Sequence, residues 1–571
     1  MKRSLAILAL ALFCTSIFAG EKVSKPLKEA HKATCSIVTY DDNGAMIGSG
    51  QGLFIEEEGE LITSYELFRG ATSAVTTDAA GVTRPVELVT GANELYNVIR
   101  VSVEPDKKYK SMPVDSVAVA EGERLYLLPV STAKKEVGEW MTVKSVEQVA
   151  GGYAYYALSG KASTSDLAGR PLLNENGELA AMLQSSAEGD SLFYALDARY
   201  AADIEIKALS LNEPSYKHLK FAKSLPEDVE QAQVYLFVTG NQNDSESYAQ
   251  VVDQFIKQFP DHFDGYLRRA AILIGKGTAE NYEKAEADQA KALELAENKD
   301  DIHYQIGRQI ANAIQADSTL SYKDWSYAKA ADEIQQAIDI KPMAVYYQSL
   351  GDLRYLMKDI QGTFEAYLAL CHTAEATPDN YVTAALASEQ LPEGKEQAIA
   401  LMDSAAIKAT GKAATANEGL TYESAPYVLE RALMKARYTD YRASVADFNL
   451  YEQLAGTSVN DQFYYLKEQV EANAKMYQQA LDDLDTAISI NPLPVYLLEK
   501  ASLNIRVNRI DEALPVLENL VLSYPNDVDC NRMLGFCHAV KGNKAKALPF
   551  LKKAVELGDE NAANLIERYC K

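Results

Sequence analysis

Histidine is scarce in this chain of 571 residues. There are six, His31, His218, His262, His303, His372 and His538, and none lies between Ala33 and Asn212. That whole stretch therefore lacks the usual base for activating a serine or cysteine nucleophile. Cysteine is equally sparse: Cys14, Cys35, Cys371, Cys530, Cys537 and Cys570 are scattered, with no CxxC among them. Cys530 and Cys537, seven residues apart on one helix, would be separated by about 10 Å along its axis, beyond disulfide reach. They read as small buried hydrophobes, and neither a metal site nor a cofactor is expected. Basic residues are also short, 56 against 81 acidic ones, and the net charge of -25 argues against nucleic acid or an anionic membrane surface as partner.

Long apolar runs are missing too. The one near the N-terminus, from Leu5 to Phe13, is too short for a comfortable membrane span. Lys2 and Arg3 precede it and Ala19 and Gly20 follow, which is the layout of a secretory signal peptide over residues 1–20. A periplasmic location is the expectation. Lipid attachment at Cys14 is disfavoured by the bulky Phe13 before it, and no other segment reads as a membrane span.

What is present divides in two. The length exceeds what one hydrophobic core supports and predicts two to four domains. From about Ala33 to Asp197 the chain is written in short β-rich runs: CSIVTY, GLFIE, AVTTD, RPVELVT, NVIRVSV, RLYLLPV, TVKSV, YAYYAL, ELAAML and SLFYAL. LITSYELFRGA, Leu61 to Ala71, reads as a strand entering a short helical turn. DDNG, EEEGE and NENGE are turn signals between strands, so an all-β barrel or sandwich is expected. Adjacent carboxylates on a turn need not converge, and EEEGE reads as a solvated hairpin tip rather than a cation site.

After Asn212 the pattern becomes helical and repeats about every 34 residues. Leu534, Gly535, Ala547, Leu551 and Ala554 set one register; Ala501, Ala513, Leu517 and Pro525 another; Ala480, Leu484, Ala487 and Pro492 a third. Upstream lie Leu350, Gly351 and Tyr367, then Ala330, Ile334, Ala337 and Pro342, then Ala285 and Ala292. Small residues let two antiparallel helices approach, a large one fills the gap, and proline ends the second helix. The pattern resembles the tetratricopeptide repeat, with about nine units over residues 212–571. The spacing from Gly307 to Ala330 is too long for that repeat and predicts an insertion around Ala316 to Trp325. The resemblance implies a superhelix with a groove for a peptide or protein; a spacer or a self-association surface is the other reading. The many tyrosines, as in YYQSLGDLRY and QFYYLKEQ, read mainly as packing between helices.

GSGQGLFIEEEGELITSYELFRGA is similar to the first part of a trypsin-like peptidase of the bacterial high-temperature-requirement type, in which a T-x-x-H-V turn bears the general base. Glu66 stands in that histidine's place. ANELYNVIRVSV resembles the strand opened by the orienting aspartate, with Asn97 at its position, and STSDLAGRPLLNENGEL resembles the G-N-S-G-G-P loop and following hairpin. Ala168 then matches the nucleophilic serine, Asp166 the oxyanion-hole glycine, and Arg170 the second glycine after the serine. The fold class implied is multidomain β plus α, a trypsin-like double β-barrel over residues 33–206 followed by the helical repeats.

Every catalytic position departs from the family. Alanine has no nucleophilic atom, glutamate is a weak base for a serine hydroxyl, and Asn97 lacks the charge that stabilises an imidazolium. Ser163, Ser165 and Cys35 offer hydroxyl or thiol groups without an identifiable base. Glu66 and Arg170 are open to three readings: an ion pair closing the former cleft, a recognition site for a peptide terminus, or drift on an idle surface. The expectation is a pseudopeptidase acting as a periplasmic scaffold or adaptor for a protein or peptide partner, with no enzymatic activity. The alternatives are a serine endopeptidase with residual or conditional activity and a holdase-like chaperone.

Overall fold

The computed structural model describes residues 23–104, 108–129, 138–160, 169–184, 192–242 and 245–570. The expected leader, with Cys14, lies outside these residues. The chain divides into two compact units, residues 1–272 and 273–571.

The first unit is built on twelve strands among its described residues. β1 (Thr34–Tyr40), β2 (Met46–Phe54), β3 (Glu60–Thr63), β4 (Ser73–Asp78), β5 (Thr83–Asn93) and β6 (Val98–Val103) close into one antiparallel barrel in the order β1-β2-β3-β6-β5-β4. β7 (Arg124–Leu127), β8 (Glu139–Gln148), β9 (Ala154–Ser159), β10 (Pro171–Leu173), β11 (Leu179–Leu183) and β12 (Phe193–Asp197) close a second, ordered β10-β11-β12-β9-β8-β7. Closure leaves neither sheet an unpaired edge. Alternation drives it: Ala154, Tyr156 and Leu158 of β9 are fully buried, while Tyr155, Ala157 and Ser159 between them are half-buried. DDNG, EEEGE and NENGE each close a hairpin, and within EEEGE the Glu57 side chain is half-exposed and held by Lys108 at 2.8 Å. One apolar cluster joins the two barrels, with Leu53, Ile62 and Val98 from the first and Tyr126, Leu173 and Leu196 from the second.

Sequence character changes near residue 205, yet the compact unit runs on to Ile272. The reason is burial. Tyr216, Phe221, Tyr235 and Phe255 sit in the same apolar cluster as Phe68 and Val89 of the first barrel. The backbone joins in as well, Val89 N–H donating to Ala222 O and Ser224 N–H to Val89 O, both at 2.8 Å. Helices Val229–Gln242 and Ser245–Gln258 then pack as a pair within this unit.

Among the described residues of the second unit, helix Ala279–Leu295 precedes seven helix pairs. They are Lys299–Ala316 with Tyr327–Ile340, Ala344–Leu356 with Ile360–Cys371, Pro378–Glu389 with Lys395–Thr410, and Ala425–Arg437 with Tyr441–Ala455. Asp461–Asn473 with Tyr477–Ile490, Pro494–Arg506 with Ile510–Ser523, and Val528–Val540 with Lys544–Glu556 complete the array, and Glu560–Tyr569 follows. The residues that set the repeat register are its core: Ala330, Ala337, Ala480, Leu484, Ala487, Ala501, Ala513, Leu517, Ala547, Leu551 and Ala554 are all within 1% of full burial. Helices approach closely at the glycines, since a Cβ on Gly351 would lie 2.8 Å from the Tyr367 ring and one on Gly535 2.6 Å from Leu551. The predicted insertion falls between Ala316 and Tyr327.

Tyrosine does knit neighbouring pairs together. Tyr346 OH donates to Asp300 at 3.0 Å, Tyr427 OH to Asp379 at 3.0 Å and Tyr496 OH to Asp461 at 2.9 Å. In each case the first helix of one pair reaches the start of the first helix of the pair before it. Two of these contacts carry a ring pair as well, Tyr304 with Tyr346 and Tyr465 with Tyr496, both at 4.8 Å. Such rings are occupied with packing between helices.

Candidate functional site

The site begins where β3 ends. Thr63 is fully buried and its Oγ1 donates to Gln51 O at 2.8 Å, fixing the exit of the strand. A single 3₁₀ turn, Tyr65–Phe68, follows. In such a turn residues i and i+3 share a face. Tyr65 and Phe68 take the inner face and are fully buried, with Tyr65 OH donating to Ser215 O at 2.8 Å. Glu66 is consequently turned outward, its side chain 67% exposed.

The ion pair between Glu66 and Arg170 is not formed. Glu66 Oε2 lies 3.5 Å from Arg69 Nε, Arg69 Nη2 is 2.6 Å from Glu94, and Glu94 Oε2 is 2.8 Å from His218 Nδ1. Arg170 is buried on the other barrel, where its Nη2 donates to Leu128 O at 2.6 Å. Inward pressure on Tyr65 and Phe68 thus decides where Glu66 points, and one guanidinium three residues along satisfies it.

Asn97 has a left-handed backbone, φ 46°, immediately before β6. Its Oδ1 accepts hydrogen bonds from the Ser64 hydroxyl and from the Glu66 backbone N–H, each at 2.9 Å. Tyr65 N–H donates to Asn97 O at 3.3 Å. Asn97 therefore ties down the first turn of the segment bearing Glu66, as an N-cap would, although it comes from a different strand connection.

The third segment arrives through Gly169. Its φ is +80°, its N–H donates to Leu183 O at 2.7 Å, and a Cβ added there would lie 3.1 Å from Ser64 N. Gly169 therefore abuts the start of the Glu66 turn. Ala168 and Asp166, with Ser163 and Ser165, lie outside the described residues. Of the segments singled out in sequence, the residues Glu66, Asn97 and Gly169 come together around Ser64, and the Arg170 side chain is directed to Leu128 O.

Other nucleophiles and bases are placed elsewhere. Cys35 is buried in the first barrel, and burial pushes its thiol up to about 12, so it stays protonated. The Nδ1 of His31 is 2.8 Å from Lys28 O. His218 is the histidine that folds back toward the Glu66 network, but its ring is more than half exposed and is held by Glu94. Among the described residues no histidine ring hydrogen-bonds a serine, threonine or cysteine side chain. Sequence reading missed Ser64 and the Arg69–Glu94–His218 chain. No local signal marks contacts that span 33 and 124 residues.

In the helical unit a cleft of about 420 Å³ opens beside helices Ala344–Leu356 and Ile360–Cys371. Tyr347, Leu350 and Ala366 supply apolar surface, and Arg354, Asp359 and Glu365 supply charge. Among the described residues no helix is long and apolar enough to cross a membrane, and no group of three or more His, Cys, Asp or Glu is placed to hold a metal ion. No protein-family model matches the chain, and no curated protein matches it.

Proposed function

We propose that this chain is a periplasmic scaffold or adaptor, in which a trypsin-like double barrel without peptidase activity is joined to a tetratricopeptide array that binds a protein or peptide. The observation that carries this reading is the position of Glu66. Its carboxylate faces solvent and is paired with Arg69, so the place of a general base is taken by a group that does not reach inward. Asn97 supports the reading further, because its Oδ1 is engaged with a backbone amide and the Ser64 hydroxyl. The barrel then serves as a rigid platform, and recognition falls to the repeats. The cleft beside helices Ala344–Leu356 and Ile360–Cys371 has the apolar floor and charged rim that a peptide requires.

The test uses the full-length chain as bait in a periplasmic extract, beside the variant Glu365→Lys in the cleft. A stoichiometric partner lost by Glu365→Lys supports the proposal. Covalent labelling of the chain by a fluorophosphonate probe would overturn it in favour of a peptidase. Suppression of a denatured substrate's aggregation, with no stoichiometric partner captured, would overturn it in favour of a holdase.

A further inference from the structure

Helix Asp461–Asn473 buries three charged side chains within two turns. Lys467 is 6% exposed, Glu468 fully buried and Glu471 1% exposed. The single positive charge of Lys467 is already shared, its Nζ lying 3.0 Å from Glu452 Oε2 and 3.0 Å from Asp483 Oδ2. Glu452 also accepts from Tyr464 OH at 3.0 Å. Glu471 lies against the Asp483 carboxylate, burial and that neighbour together push it up, and its Oε2 has no hydrogen-bond partner. Neither carboxyl oxygen of Glu468 has a partner.

The neighbouring helices do not balance this charge. Tyr441–Ala455 contributes Glu452, Tyr477–Ile490 contributes Asp483, and Pro494–Arg506 contributes Glu499 and Arg506. Five carboxyl groups thus face two cations. Burying an ionised carboxylate without a partner costs far more than protonating it near neutral pH.

We propose that the hairpin Asp461–Ile490 is a pH-sensitive joint of the helical array, which packs while Glu468 and Glu471 are carboxylic acids and loosens when they ionise. Burial pushes Glu468 up to about 8 and raises Glu471 likewise. Both folded-state values stand above the ordinary glutamate value of 4.5. The stabilisation is therefore complete below the ordinary value and is lost as pH rises through about 8. The contacts that open first are those to the next pair, Tyr496 OH on Asp461 at 2.9 Å and the Tyr465–Tyr496 rings at 4.8 Å.

Hydrogen exchange of the full-length chain near pH 6 and near pH 9, corrected for intrinsic chemical exchange, tests the joint. Peptides from residues 461–490 are expected to lose protection at least about tenfold at the higher pH, while peptides from residues 528–556 do not. The double variant Glu468→Gln, Glu471→Gln is expected to abolish that dependence. Equal protection of wild-type residues 461–490 at both pH values overturns the proposal, and so does an unchanged pH dependence in the variant. Should the double variant fail to fold, Glu468→Gln alone and the wild-type comparison still decide.

Discussion

Asn97 Oδ1 accepts a hydrogen bond from the backbone N–H of Glu66 at 2.9 Å. Asn97 therefore holds the main chain of the turn that bears Glu66, and the Glu66 side chain plays no part in that contact. Asn97→Ala removes the acceptor for two donors and is expected to cost about 1–2 kcal/mol, while Asn97→Asp, which keeps the oxygen, costs less. Glu66→Ala is expected to stay within about 0.5 kcal/mol of wild type, because its pair with Arg69 is exposed. Urea unfolding followed by barrel fluorescence measures all three.

Among the described residues Arg431 is the largest fully buried side chain, and it satisfies every donor it has. Nε and Nη2 grip Asp447 at 2.9 and 2.6 Å, Nη1 reaches Asp403 at 2.6 Å and Ala416 O at 2.8 Å, and Nη2 also meets Asn417 at 3.2 Å. Arg431→Met leaves Asp447 with Lys435 alone, at 2.7 Å. A loss of about 3–5 kcal/mol is expected. Arg431→Lys should not rescue it, since an ammonium cannot reproduce the planar fork. The transition of the helical array in urea, read by circular dichroism, checks both.

The turns inside several helix pairs carry one left-handed residue each: Lys358 at φ 61°, Thr439 at 63°, Lys475 at 63°, Asn508 at 62° and Gly542 at 78°. Thr439 is β-branched and suffers most in that conformation. Thr439→Gly is expected to stabilise the array by about 1 kcal/mol, raising the urea midpoint with an unchanged slope.

The inserted segment is held by one carboxylate. Glu286 accepts from Trp325 Nε1 and Tyr322 OH, each at 3.0 Å, and from Lys323. Glu286→Ala leaves the buried indole N–H without its acceptor and should expose Trp325, which is 7% accessible. With only two tryptophans in the chain, a Trp140→Phe background isolates the signal. A red shift of Trp325 emission is the expected outcome.

How much was legible depends on the range of the cause. Period-two alternation and turn glycines are local, so the β-runs and all three hairpin tips could be read in order. The array was legible because the same small and large residues return at one spacing, and the insertion showed as a break in it. The Asn97 cap, the outward Glu66 and the reach of Arg170 to Leu128 were not legible, because each depends on which distant backbone group arrives nearby.

The sequence by itself determined the two kinds of architecture, since hydrophobic periodicity dictates which face of each element must be buried. It also determined that no histidine comes from the stretch between Ala33 and Asn212, so the one imidazole that joins the Glu66 network, that of His218, is brought there by folding. Tertiary structure alone decided where the first unit ends: the aromatic side chains of residues 216–255 had apolar surface to bury and found it against the first barrel. It also decided the state of Glu468 and Glu471, whose carboxyl groups are ordinary in sequence and become proton-holding only when neighbouring helices remove water from them.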